Sequence, residues 1–109
     1  MGDKRVYARK TIRGSGSIAD ASGESWVPVT ILDISQGGVG FHGRSNLIVG
    51  HVRMIRFTLP TDPPLEATAT VRIAYCAPHP HLGGFRVGAE FKKLDSEKLE
   101  AIIHLVDHH

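Results

Sequence analysis

Only one of the 109 residues is a cysteine, Cys76, so no internal disulfide can form. Its neighbour Ala77 is apolar, which fits a quiet site better than a polarised thiolate, and the cysteine usage points to a reducing compartment. Nowhere do about 18 apolar residues run together, and the charged start MGDKRVYARKTIR lacks the apolar stretch of an export signal. A cytoplasmic chain without membrane insertion is expected. Aromatic residues are scarce at 6%, so Trp26, Phe41 and Phe57 are expected in the core and not as a platform for stacked bases. The net charge of +2 is too small to mark a general nucleic-acid binder. Repeats and low-complexity segments are absent, and the length leaves no room for a second, catalytic domain. The composition that remains, 41% hydrophobic and 22% charged, is that of a folded domain with a real core.

Charge is unevenly spread. Residues 1–13 hold five basic groups (Lys4, Arg5, Arg9, Lys10, Arg13) against Asp3, a net of +4, which leaves −2 for the rest of the chain. Few apolar side chains in that segment compete for burial, so residues 1–13 are expected to form a flexible basic arm, followed by the globular body, residues 10–109.

Along the body, side chains alternate with the period that puts every second residue on one face of a strand. Leu65, Ala67, Ala69, Val71, Ile73 and Tyr75 form one such face, Phe85, Val87, Ala89 and Phe91 another, and Ile55, Phe57 and Leu59 a third. Trp26–Ile34 and Val39–His42 read as further strands, and TIRGSGSIAD as a weaker sixth because glycine and serine interrupt it. Turn residues cluster between these runs. From about residue 95 to 107 the period becomes helical, with Leu99, Ile102, Ile103 and Val106 on one stripe and Asp95 or Ser96 as cap. The expected fold is all-β with a C-terminal helix, a six-stranded antiparallel barrel that closes its own edges. The helical stripe is expected to pack on this barrel and not on a second copy.

Two clusters carry chemistry. An Arg-x-x-x-Arg spacing, present here as Arg5/Arg9 and Arg9/Arg13, arises by chance in roughly one such chain in four, so alone it means little. The pattern Asp33-Ile-Ser35-Gln-Gly37-Gly38 arises in only a few per hundred, although the same residue types also build plain turns. Guanidinium groups fork onto phosphate and onto the O6/N7 edge of guanine. The Asp33 carboxylate offers only acceptors, which suits the N1–H and N2–H donors of guanine's other edge, and Ser35 adds a small donor and acceptor. Gly37, Gly38 and Gly40 let a backbone approach a flat anion and present N–H groups to it. No base is spaced to activate Ser35, so binding is expected and catalysis is not.

With these motifs the chain resembles the PilZ domain family, bacterial receptor modules for cyclic di-GMP. Asp33-Ile-Ser35-Gln-Gly-Gly38, the following Gly-Val-Gly-Phe, and Phe85-Arg-Val-Gly-Ala-Glu-Phe91 are similar to the family's second motif and closing strand. The resemblance implies a PilZ-type barrel and cyclic di-GMP as ligand; no cofactor and no metal are expected. It implies ligand contacts from Arg5, Arg9, Asp33, Ser35, Gly37 and Gly38, with Lys4, Arg13, Gly40 and Gly88 as further candidates. Both arginine registers fit; Arg5/Arg9 is preferred because the stretch after Arg9 is then long enough for the first strand. A basic residue at the position of Lys4 is associated in the family with a stacked ligand dimer, so one or two ligands per chain both fit. The arm would order over the barrel on binding and signal to a downstream protein, the domain itself being a monomer or weak dimer.

Two alternatives stay beside this reading: a PilZ-like barrel without ligand that serves as a protein-interaction module, and a small nucleic-acid-binding barrel. The histidines make a poor metal case. His79 and His81 lack a cysteine or carboxylate at ligand spacing, His104 and His108 are merely four apart, and His108-His109 has the look of a tag remnant.

Overall fold

The computed structural model describes residues 7–107. Alternating sequence becomes six strands, β1 (Arg9–Ala19), β2 (Trp26–Ser35), β3 (Gly38–Gly43), β4 (Val52–Leu59), β5 (Leu65–Pro78) and β6 (Phe85–Leu94), then the helix α1 (Ser96–Asp107). Every pairing is antiparallel, and the order β1-β2-β3-β6-β5-β4 closes on itself through β1 and β4. The expected barrel and terminal helix are therefore both present. Closure leaves no free sheet edge for another chain to pair with.

Inward positions fill the barrel with Ile31, Ile34, Phe41, Ile55, Leu59, Val71, Ile73 and Val87, all fully buried. Each such side chain contributes about 1.5–3 kcal/mol relative to exposure. Phe41 and Phe57 lie in this core as expected. Trp26 does not: it is half-buried, and the Arg56 guanidinium lies 4.2 Å over its ring. A wide indole at the start of β2 is better accommodated at the barrel rim, where a cation can cover its face. β1 is a full eleven-residue strand in spite of its glycines. Gly14 and Gly16 face the β4 seam, where a Cβ would stand 2.5 and 2.8 Å from the carbonyl oxygens of Thr58 and Arg56. Absence of side chains there lets the last pair of strands meet.

The helix begins where the Asp95 carboxylate accepts the N–H of Glu97 at 2.9 Å. Ile102 and Val106 are buried against the core, with Leu99 and Ile103 half-buried, so the stripe serves its own barrel. Cys76 also has a local task. Its sulfur accepts the N–H of Leu47 at 3.3 Å, and Leu47 is buried in the core from the β3–β4 loop.

Register shifts decide which residues face outward. In β2, Ile31 pairs with Phe41 and Asp33 with Gly40, so Leu32 is an extra residue and the face of every following side chain inverts. Ile34 thereby stays inside while Asp33 and Ser35 turn to the outer wall. A second bulge lies in β5, where Ile73 pairs with Ala89 but Tyr75 with Gly88. Tyr75 was expected on the inner face with Leu65–Ile73; the extra residue Ala74 rotates it outward instead.

Candidate ligand-binding cleft

The outer wall across β1, β2, β3 and β6 brings the two motifs together. Arg9 pairs with Ser35 and Thr11 with Asp33, Asp33 in turn faces Gly40, and Gly40 faces Gly88. The Asp33 Oδ1 accepts a hydrogen bond from Arg9 Nη1 at 3.1 Å, and its Oδ2 accepts one from Arg86 Nη2 at 2.8 Å. Asp33 is only 11% exposed, against 32% for Arg9 and 38% for Arg86. Burial would lower the pKa of Arg86, but the Asp33 hydrogen bond and the nearby Tyr75 hydroxyl outweigh it, so the guanidinium is held protonated even more firmly than usual.

Gly40 explains how a carboxylate in β2 reaches an arginine in β6. A Cβ at position 40 would stand 2.7 Å from Asp33 Oδ1, so glycine leaves the space in which that carboxylate lies across β3. Its role here is to clear a path for an ion pair, whereas close approach to a ligand was expected. Ser35 likewise serves the hairpin first: its hydroxyl accepts the N–H groups of Gly37 and Gly38, each at 3.2 Å. Those two amides, expected to face a ligand, are turned toward Ser35 because a two-residue turn needs its N–H groups capped.

Beside this network lies an open cleft of about 310 Å³, lined by Tyr7, Arg9, Ser35, Gly37, Gly38, Ala74, Tyr75, Gly88, Ala89 and Glu90. Two glycines act as seats for aromatic rings. A side chain on Gly37 would collide with the Tyr7 ring, and one on Gly88 with the Tyr75 ring. Two tyrosine faces, a guanidinium and a carboxylate thus border one hollow, a set suited to a flat, polar, anionic ligand.

Arg9, Ser35, Gly37, Gly38 and Gly88 meet at the cleft, while Asp33 and Gly40 lie beside it. Arg13 is exposed on β1 and lies about 13 Å along the strand from Arg9, outside the cleft lining. Lys4 and Arg5 fall outside the described residues. Sequence reasoning missed Arg86, Tyr7, Tyr75 and Glu90. Arg86 and Glu90 were visible as polar alternates of β6, but only the strand order puts them beside the β2–β3 turn. No set of three His, Cys, Asp or Glu side chains among the described residues is arranged to hold a metal ion. No described helix is long and apolar enough to cross a membrane.

A closed six-stranded antiparallel barrel with a terminal helix, carrying an arginine–aspartate network on its outer wall, defines a small β-barrel domain. The PilZ domain family model matches residues 3–108, and the chain belongs to that family. Among curated proteins, none matches it in sequence. Its fold is similar to the Bacillus subtilis inhibitor of motility MotI/DgrA, with a TM-score of 0.83 at 15% identity over 97% of this chain and 51% of that one. YcgR from Escherichia coli, solved in complex with c-di-GMP, superposes with a TM-score of 0.77 at 14% identity, over 96% of this chain and 45% of that one. The isolated PilZ domain of YcgR with c-di-GMP gives 0.69 at 11% identity, over 96% of this chain and 90% of that one. The chain thus spans about half the length of the first two. At such identities the likeness shows the fold.

Proposed function

We propose that this domain is a non-catalytic receptor for cyclic di-GMP that passes ligand occupancy to a partner protein. The observation that carries the reading is the convergence of Arg9 with Ser35, Gly37, Gly38 and Gly88 on one cleft, with Asp33 holding Arg9 in place. Membership of the PilZ family and the two YcgR structures with c-di-GMP support the choice of ligand. In this reading Arg9 grips phosphate or the O6/N7 edge of guanine, and the tyrosine rings cover the base faces. Arg5, which lies outside the described residues, is the second guanidinium of this reading, as the family resemblance implies. A leader that ordered on binding would consume about 2–5 kcal/mol of the interaction and leave a moderate affinity suited to a switch.

One observation favours the ligand-free alternative. Asp33 and the Gly37 and Gly38 amides already have partners within the protein, so the motif holds its own shape without a ligand. Calorimetric titration with cyclic di-GMP, with GTP and single-stranded oligonucleotides as controls, separates the readings. Saturable binding of the cyclic dinucleotide alone is expected, and Arg9→Ala should weaken it about tenfold or more, the value of a charged hydrogen bond. A complete lack of binding would leave the interaction module; oligonucleotide binding that falls steeply with salt would replace both.

A further inference from the structure

The carboxylate expected to read guanine is occupied. Both Asp33 oxygens accept arginine N–H groups, and the side chain is almost buried. A purine edge with two adjacent donors needs a carboxylate that projects into the cleft. Glu90 meets that need: among the described residues it is the one acidic side chain lining the cleft, on the outer face of β6 opposite Gly38. Its Oε1 accepts from Arg72 Nη1 at 3.3 Å, a long contact between side chains that are 53% and 43% exposed and therefore weakly held.

We propose that Glu90 is the base-selecting residue of the cleft, accepting the N1–H and N2–H donors of a guanine whose ring lies against the cleft's tyrosines. This inference rests on the receptor reading above. The chemistry is selective because adenine presents a lone pair at N1 and has no amino group at C2, so its edge repels a carboxylate where guanine's binds it. A site built to bond a donor discriminates strongly against an analogue that lacks it, since its own acceptor is then left unpaired. Arg72 stands on the far side of Glu90, across the β5–β6 ladder and outside the cleft lining. It holds the carboxylate at the cleft rim and competes with the ligand for it.

The experiment compares cyclic di-GMP, cyclic di-AMP and the inosine analogue that lacks the 2-amino group, titrated calorimetrically into the wild-type domain and into Glu90→Gln and Arg72→Ala. Circular dichroism and melting confirm that each variant is folded. Wild type should prefer guanine over inosine and over adenine. Glu90→Gln should lose about ten- to a hundredfold of its affinity for the guanine ligand, and with it most of the preference over inosine. Arg72→Ala should bind the guanine ligand more tightly than wild type, because the competitor for the Glu90 carboxylate is gone, an outcome that a merely structural ion pair does not give. Unchanged affinities and ratios in Glu90→Gln, or an equal gain for all three ligands as phosphate repulsion is relieved, would overturn the assignment while leaving the receptor reading intact. A wild-type domain that binds none of the ligands would overturn both.

Discussion

Asp33 and Glu90 lie on the same outer wall and each faces arginine, yet they have different work. Asp33 is nearly buried and shared between Arg9 of β1 and Arg86 of β6, so one carboxylate ties together strands that are separated by β2 and β3. Glu90 is half exposed and has one long contact to Arg72 on the neighbouring strand. Equal charges thus differ in how easily a ligand can exchange their partners. Two bonds to one nearly buried carboxylate resist exchange; one long contact between exposed side chains does not. The buried carboxylate fixes its two cations, and the exposed one keeps an exchangeable partner, as the base-selecting role proposed for Glu90 requires.

Removing each carboxylate is the direct way to break this comparison. Asp33→Ala leaves two guanidiniums aimed at a vacated space and should destabilise the domain by roughly 2–3 kcal/mol. That is less than the ~3–5 kcal/mol of a fully buried pair, because both arginines are about a third exposed. Urea unfolding measures it, and cyclic di-GMP titration should show a parallel loss as Arg9 loses its orientation. A stability change under about 0.5 kcal/mol would mean that the Asp33 network is as replaceable as the Glu90 contact.

How far the sequence alone reaches is seen in the same residues. Alternation announced the inner faces of β5 and β6, and the helical stripe announced α1, because both periods are set by backbone geometry and survive in the residue pattern. Bulges do not announce themselves. Tyr75 continues the alternation of Leu65–Ile73 without a break, and only the pairing of Tyr75 with Gly88 shows that it has changed face. Asp33 and Ser35 were legible as a motif, since acidic and hydroxyl side chains at a strand end stand out. Arg86, fifty-three positions from Asp33 along the chain, was not, because the link exists only after β3 and β6 have paired. The glycines illustrate the same point: composition marks them, but whether Gly40 clears a path for a carboxylate or for a ligand depends on what lies opposite.

A smaller effect sharpens the comparison from the other side. Arg72→Ala and Glu90→Gln should each change unfolding stability by less than about 0.5 kcal/mol, since an exposed pair contributes about 0–1 kcal/mol and much of that is screened. Denaturation midpoints in low and moderate salt check this. A shift above about 1 kcal/mol in either variant would show that the pair supports the barrel and would place Glu90 in the same class as Asp33.

A third carboxylate extends the series to one whose partners are mainly backbone N–H groups. At the exposed β1–β2 turn, Asp20 Oδ1 accepts from the Ser22 hydroxyl at 2.7 Å and from the N–H groups of Ser22, Gly23 and Glu24 at 2.9–3.3 Å. The Ser22 hydroxyl holds its pKa below the ordinary 3.8; desolvation opposes this, and the backbone donors add to the lowering. A carboxylate whose folded pKa is depressed contributes stability that is present above its unfolded value and is lost as pH falls through the folded one. Asp20→Asn keeps an acceptor at the turn but has no proton to gain. Wild type should therefore melt above Asp20→Asn at about pH 6, and the gap should narrow as pH drops below about 4. A gap that stays constant across that range would show that the turn depends on the shape of Asp20 and not on its charge. Because this group is solvated and distant in the chain from the cleft motifs, cyclic di-GMP affinity at neutral pH should be the same in both proteins. That contrast separates a carboxylate that holds a turn from the two that border the cleft.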